Sequence, residues 1–373
     1  MRNLLFVFIV SFILAYQSQY FGHNYELVAG ERKRINFYIV IMIILMVLFV
    51  GLRTGYNDTA AYIRGFTESE GIRDFLADPD NLHPLHNPFF YGIQALIRSF
   101  TGNYHIFFMI WAVIDISLLV YFILTYTDGE DFAIAIFIFF ALGTFVFGMA
   151  ALKQISGMAI LTFSIPYLLD KKYGRYILIV LIAGLIHTYA FLFLILPLFR
   201  SRPWGFQSLL LIAFTIIVLA TFNDTISSLL EYADSIGKTV AEEEVFDGNG
   251  MSVFRVAVFA VCPCVILIFR NRLLSKMEPA HELLSNMTII SIMVMLLASQ
   301  NGANMFGRIA TYFEIGNACM IPWVLRNLFN ERSYKLTTFL AMAFFFLFFM
   351  YDNAGFSTDY SSITILGFFT GLL

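Results

Sequence analysis

Apolar blocks of about 17–25 residues, the length that carries a helix across a bilayer, recur along this chain between short polar segments. They occupy residues 4–20, 35–51, 104–126, 132–149, 150–169, 176–199, 206–222, 253–269, 287–299, 309–329 and 336–351. The pattern predicts an all-α polytopic membrane protein of about eleven spans in a single transmembrane domain, residues 1–373. Residues 361–373 are apolar but short, which suits a half-span or an interfacial helix. Met1-Arg2 followed by an apolar run to Ala15 imitates a signal peptide, but Tyr16-Gln17-Ser18 offers no small-residue cleavage site. The segment therefore counts as the first span.

Lys and Arg in short loops set the orientation. Arg32-Lys33-Arg34, Lys171-Lys172 with Arg175, Arg270 and Arg272 with Lys276, and Arg326 and Arg332 with Lys335 mark four inside loops. Segments 52–103 and 223–252 then become outer-face loops, the second carrying Glu242-Glu243-Glu244. The count closes only if segment 176–199 does not cross once. It must enter and return as two short helices, a broken helix or hairpin with its tip near His187. Irregular backbone at membrane depth requires protein or a wet cavity beside it, so a cavity near His187 is expected. Asp128-Gly129-Glu130-Asp131 falls inside, which a rule that counts only cations tolerates. Residues 89–100 have the amphipathic pattern of a helix lying on the outer interface.

Composition agrees: 59% of residues are hydrophobic and 13% charged, where a soluble domain carries about 25%. The 43 Phe suit a lipid-facing surface. A net charge of −3 points to no nucleic-acid partner. Three cysteines make neither a disulfide framework nor a zinc site, and Cys262 and Cys264 flank Pro263 as small helix residues. His83 and His86, spaced across Pro84, lack the carboxylate or cysteine that would complete a metal site. There is no phosphate loop, nucleophile elbow or zinc-protease signature, which argues against ATP-driven chemistry.

Four cations break the orientation rule. Arg53 follows the second span, Lys153 opens the fifth, Arg255 lies near the outer start of its span, and Arg308 falls in the outer turn before residue 309. Each alone can snorkel to the outer headgroups. Four on one side favour a shared anion, and a phosphate or diphosphate fits guanidinium and ammonium groups. Asp58 has two readings: helix N-cap for residues 59–66, or general base for an acceptor hydroxyl. His187 is either hydrogen-bonded to a neighbouring helix or functional at the predicted break.

These residues resemble a known family. Gly51-Leu52-Arg53 with Asp58-Thr59 and Tyr62, Leu152-Lys153-Gln154, Ala183-Gly184-Leu185-Ile186-His187, and Arg308-Ile309 with Tyr312-Phe313 and Pro322 are similar to the EpsG-like members of the Wzy class of bacterial polysaccharide polymerases. The family usually has Arg where this chain has Lys153, which keeps the charge but loses the planar fork. The resemblance implies a GT-C-like membrane glycosyltransferase at the outer face of the bacterial inner membrane. It would join oligosaccharide repeat units carried on undecaprenyl diphosphate, with lipid diphosphate as leaving group and neither metal nor cofactor. Donor and acceptor would both be lipid-linked, and the chain-length regulator and flippase of the same pathway would be partners. Arg53, Lys153 and Arg308, with Arg255, are then expected to bind diphosphate, and Asp58 or His187 to act as base. An O-antigen ligase would need the same diphosphate site. A lipid-linked oligosaccharide flippase would show symmetric halves, and a membrane acyltransferase an acid close after His187; the sequence has neither feature.

Overall fold

Among the residues described by the computed structural model of the protein (1–22, 35–237, 246 and 250–358), all regular structure is helical. The inside loop Arg32-Lys33-Arg34, the triplet Glu242-Glu243-Glu244 and segment 361–373 lie outside the described residues. By their internal contacts the residues divide into two compact units, 1–191 with 345–373, and 192–344.

The first unit begins with α1 (Arg2–Gly22) and α2 (Phe37–Gly51), which pack along each other. Asn36 accepts from the Ile39 backbone N–H as N-cap of α2. Its amide also donates to the Ser18 hydroxyl and carbonyl at 3.1 Å, joining the two helix ends. Segment 52–103 is mostly helical. It holds α3 (Thr59–Glu68), α4 (Ile72–Ala77), two 3-10 turns (Pro79–Leu82 and Pro84–His86) and α5 (Pro88–Phe100). Proline at N1 starts α5, as its fixed φ favours. The amphipathic helix expected over residues 89–100 is therefore present.

Next comes α6 (Tyr104–Tyr126), which packs along α2 and later along α9. The block 132–149, expected as one helix, is bent by 47° between α7 (Phe132–Ala141) and α8 (Thr144–Ala150). The break falls at Gly143, whose φ of +80° is open to glycine and strained for other residues. Helices α9 (Leu152–Thr162) and α10 (Ile165–Leu169) form one 18-residue apolar stretch, and α11 (Tyr173–Ile186) follows. Then the helix stops where the sequence predicted. His187 is extended (φ −148°, ψ 118°), and Thr188–Phe199 continues as a 3-10 segment. The Phe191 ring lies where a Cβ on Gly184 would be, within 2.5 Å of that position. In a straight helix residues seven apart are separated by about 10 Å, so the chain changes course at the break.

In the second unit α12 (Phe206–Ala220) turns by 98° into α13 (Phe222–Ser235). Helix α13 fills the first part of what the sequence presented as the acidic loop 223–252. It buries Phe222, Ile226 and Leu230 against Val218, Leu297 and Phe306. Helix α14 (Val253–Ile268), short α15 (Arg270–Leu273), α16 (Pro279–Ala298) and α17 (Ala303–Leu328) complete the unit. Glu278 and His281 form a capping box at the start of α16. Gly316 lets α17 approach α16 closely: a Cβ there would stand 2.8 Å from the Leu284 carbonyl oxygen. Helix α18 (Glu331–Asp352) runs from the second unit into the first.

Among the described residues, five helical stretches are long and apolar enough to cross a bilayer, or up to eight if each of three bent pairs is one span. The protein is thus a polytopic α-helical membrane protein, and this count does not reach the expected eleven. Two reasons are visible. Helices α2 and α11 have 15 and 14 residues, about 22 Å each at 1.5 Å per residue, shorter than the ~30 Å core. Helix α17 carries Arg308, Glu314 and Asn317 in its first four turns.

Candidate active site

Five helix ends, those of α3, α5, α6, α9 and α11, meet at one end of the first unit around an aromatic cluster of Phe66, Phe90, Phe107, Phe108 and Trp111, with Leu152 and Ile186. Phe108 and Trp111 come from α6, Phe90 from α5, Leu152 from the start of α9 and Ile186 from the end of α11. Phe90 stacks on Trp111 and Phe66 on Phe107. Two of the singled-out polar residues lie over the cluster's rings, Arg53 over Phe108 and Lys153 over Phe90. Opposite it in the unit, the far ends of α6 and α10 enclose a half-open groove of about 230 Å³ lined by Tyr121, Tyr126, Phe163, Tyr167 and Asp170. The basic loop Lys171-Lys172 with Arg175 follows that end; Arg175 stacks over Tyr167, and Lys172 pairs with Asp170 at 2.7 Å.

Arg53, two residues past α2, is fully buried, with 0% of its surface exposed. Its Nε donates to Thr59 Oγ1 at 3.1 Å, its Nη1 donates to the Val50 carbonyl, and its guanidinium lies 4.5 Å from the Phe108 ring centre. Both the backbone N–H and the hydroxyl of Thr59 donate to the Tyr56 carbonyl, at 2.9 and 2.6 Å. Arg53 therefore fastens the turn Tyr56-Asn57-Asp58-Thr59. It lies beneath the surface of the site and not on it. Asn57 in that turn has a φ of 44°. Asp58 occupies the N-cap position of α3, yet its side chain makes no cap hydrogen bond. The half-exposed carboxylate is not consumed by the structural role the sequence allowed it.

Lys153 is the accessible cation. It is the second residue of α9, half-buried, with Nζ 2.8 Å from Tyr91 Oη and 4.9 Å from the Tyr91 ring centre. Its backbone N–H, one of the donors a helix start leaves without an internal acceptor, donates to Tyr62 Oη at 3.4 Å. A cation in the first turn opposes the helix dipole. The same placement adds side-chain charge to the field of a helix N-terminus, where anions bind.

His187 is half-buried at the end of α11, its ring edge-on to Tyr189 at 5.1 Å. The break beside it is held by Asn87. Asn87 Oδ1 accepts from both the backbone N–H and the hydroxyl of Thr188, at 3.0 and 3.1 Å, and the hydroxyl also reaches the Leu85 carbonyl. Asn87 itself is left-handed (φ 58°, ψ 51°).

The first unit thus holds Arg53, Asp58, Lys153 and His187, with Arg53 and Lys153 against the aromatic cluster, Asp58 at the start of α3 and His187 next to Ile186 of the cluster. Arg255 and Arg308 belong to the second unit. Arg255 lies at the start of α14 over the Phe259 ring, 5.4 Å away. Arg308 is in the second turn of α17, where the sequence had suggested a turn, because α17 begins at Ala303. Helices α14 and α17 pack against each other, and a Cβ on Gly307 would touch Met251 Cε.

A model of the EpsG family matches residues 36–364, which hold every residue named above as a site candidate. The chain belongs to the EpsG family. No curated protein and no solved structure matches it. Membership supports a role in making polysaccharide, and it covers both units of this EpsG protein.

Three further residues of the candidate site carry no plain signal in the sequence. Tyr91 lies in a stretch that reads only as interfacial, and Asn87 in the loop that precedes it. Asp115, in the middle of α6, is 3% exposed, and its Oδ2 accepts from Ser156 Oγ of α9 at 2.9 Å. The available signal was a lone acid inside a 23-residue apolar helix, a placement that costs enough to imply a purpose.

Proposed function

We propose that the protein is a polysaccharide polymerase that joins repeat units carried on undecaprenyl diphosphate, with its reacting end at the outer face of the bacterial inner membrane. The observation that carries this reading is Lys153, an accessible ammonium at a helix N-terminus beside Tyr62 and Tyr91, in a chain of the EpsG family. Glycosyl transfer forms a bond between the acceptor hydroxyl oxygen and the anomeric carbon. The bond from that carbon to the diphosphate oxygen breaks, and the lipid diphosphate leaves with the electron pair. Lys153 and the amide dipoles of α9 stabilise the charge that develops on the departing diphosphate. The acceptor proton passes to a base, and Asp58 is favoured because its carboxylate does not cap α3. His187, at the break, is the alternative. Neither role draws on a metal or cofactor.

Complementation of a polymerase-deficient strain of matching serotype tests the reading, scored by the ladder of surface polysaccharide lengths with membrane levels checked. Wild type restores a ladder, and Lys153→Ala gives a single repeat unit. The absence of a ladder from well-inserted wild type would overturn the polymerase reading in favour of a ligase or flippase. The same assay scores Arg308→Ala, whose role rests on the resemblance alone.

A further inference from the structure

Nothing in the reaction above uses the groove at the far ends of α6 and α10. Five aromatic side chains line it, Tyr121, Phe122, Tyr126, Phe163 and Tyr167, with Asp170 as the charged residue beside them. Tyr121 and Phe163 are about half exposed, on helices long and apolar enough to span a bilayer. Helix α6 has 23 residues, about 34 Å at 1.5 Å per residue against a core of about 30 Å, so its last turns reach the headgroup layer. Tyrosine is ordinary at that depth, where its ring meets apolar chains and its hydroxyl meets water. A carboxylate set among the rings is not explained that way.

Charges of both signs stand at the edge of the groove. Asp170 is more than half exposed. Lys172 Nζ pairs with its Oδ2 at 2.7 Å, and among the described residues nothing donates to its Oδ1. Arg175 lies over the Tyr167 ring, 5.8 Å from its centre, and its guanidinium makes no hydrogen bond among the described residues. Asp128 and Glu130 are exposed just after Tyr126. A purely anionic headgroup here would meet Asp170 in the wall and the acids of that loop. A purely cationic ligand would meet Arg175 and Lys172. A headgroup that carries both charges meets each with its opposite. Its ammonium is attracted by the aromatic rings and hydrogen-bonds the Asp170 carboxylate. Its phosphate suits the Arg175 guanidinium. The carboxylate needs an ammonium with N–H donors, which ethanolamine has and choline lacks. The volume of about 230 Å³ lies below the about 300–1,000 Å³ of pockets that enclose a whole small ligand. It suits a headgroup and the start of a chain whose remainder lies in the bilayer.

We infer that this groove binds a zwitterionic phospholipid with a primary ammonium headgroup, of the phosphatidylethanolamine type, its ammonium among the rings at Asp170 and its phosphate at Arg175. The site lies at the opposite end of α6 from the aromatic cluster and Lys153, and it does not depend on the polymerase reading.

Native mass spectrometry of the purified full chain in detergent tests the inference, with dioleoyl phosphatidylethanolamine, phosphatidylglycerol and phosphatidylcholine added in equal amounts. Wild type is expected to retain the ethanolamine lipid about fivefold over each of the others, the scale of a partly exposed charge contact. Asp170→Asn is expected to erase that preference, and Arg175→Gln to lower retention of all three lipids by a similar factor. Both side chains are exposed, and an unchanged unfolding midpoint shows that each variant is folded. Phosphatidylglycerol retained as well as the ethanolamine lipid would make the site anion-selective and overturn the inference. Equal retention of phosphatidylcholine would overturn it too, because the headgroup would then be bound without the N–H donors that Asp170 reads. A preference that survives Asp170→Asn, or a retention that survives Arg175→Gln, puts the lipid elsewhere on the protein and has the same consequence.

Discussion

Lys153 separates charge from shape more cleanly than any other residue of the site. Its ammonium is accessible, its neighbours are two phenols, and its helix start already favours an anion. Replacement by Ala removes the charge and should abolish the long ladder with insertion unchanged. Lys153→Arg keeps the charge and adds a planar fork, so it should retain a ladder close to wild type; gel profiles at matched membrane levels check both. For Asp58, the half-exposed carboxylate that does not cap α3, Asp58→Asn should slow turnover of a lipid-linked repeat unit by about 10²–10⁴-fold, the usual share of a general base. A loss below tenfold, with His187→Ala costing more, would move the proton to His187. The sequence named these residues because each was a polar group in the wrong place. It could not say that Arg53 is buried while Lys153 is accessible, since burial is decided by Phe108 and Thr59, which a hydropathy reading treats as background.

Among the elements, the break after α11 was legible and its fastening was not. The basic loops forced segment 176–199 to be discontinuous, and His187 is where α11 ends. What holds the break is Asn87, about a hundred residues earlier, through two bonds to Thr188. Thr188→Val removes the hydroxyl while keeping the shape. It should lower stability by about 1–2 kcal/mol, the worth of a part-buried hydrogen bond with its acceptor left behind, seen as a lower unfolding midpoint in detergent. Helix α5 was visible in its amphipathic pattern. Helix α13 was not, because its acidic surface in a long polar segment looks like a loop until Phe222, Ile226 and Leu230 are seen to be buried. The bend at Gly143 was hidden for another reason: hydropathy runs unbroken across it, and only the positive φ marks it.

At the scale of the whole molecule, membrane residence was plain from composition, whereas the number of crossings was not. Hydropathy counts apolar blocks and cannot tell a full span from a helix of 14 or 15 residues. Nor does it show the division into two units, since both are equally apolar in sequence. The first unit places the aromatic cluster and the loop at Lys172 at opposite ends of α6 and α9. Ser69→Cys should react with an impermeant maleimide added outside intact cells, and Lys172→Cys only after the membrane is opened. Labelling of both from one side would refute that arrangement. The burial of Arg53 against α6 also bears on biogenesis. The ribosome finishes α2 and releases Arg53 well before Phe108 is made. Until then the arginine has no interior to enter and must wait at the water's edge. A nascent chain halted before Tyr104 should leave a cysteine at Thr54 open to reagent, and extension through α6 should close it. The step that inserts α6 is therefore also the step that commits the first unit to its final form.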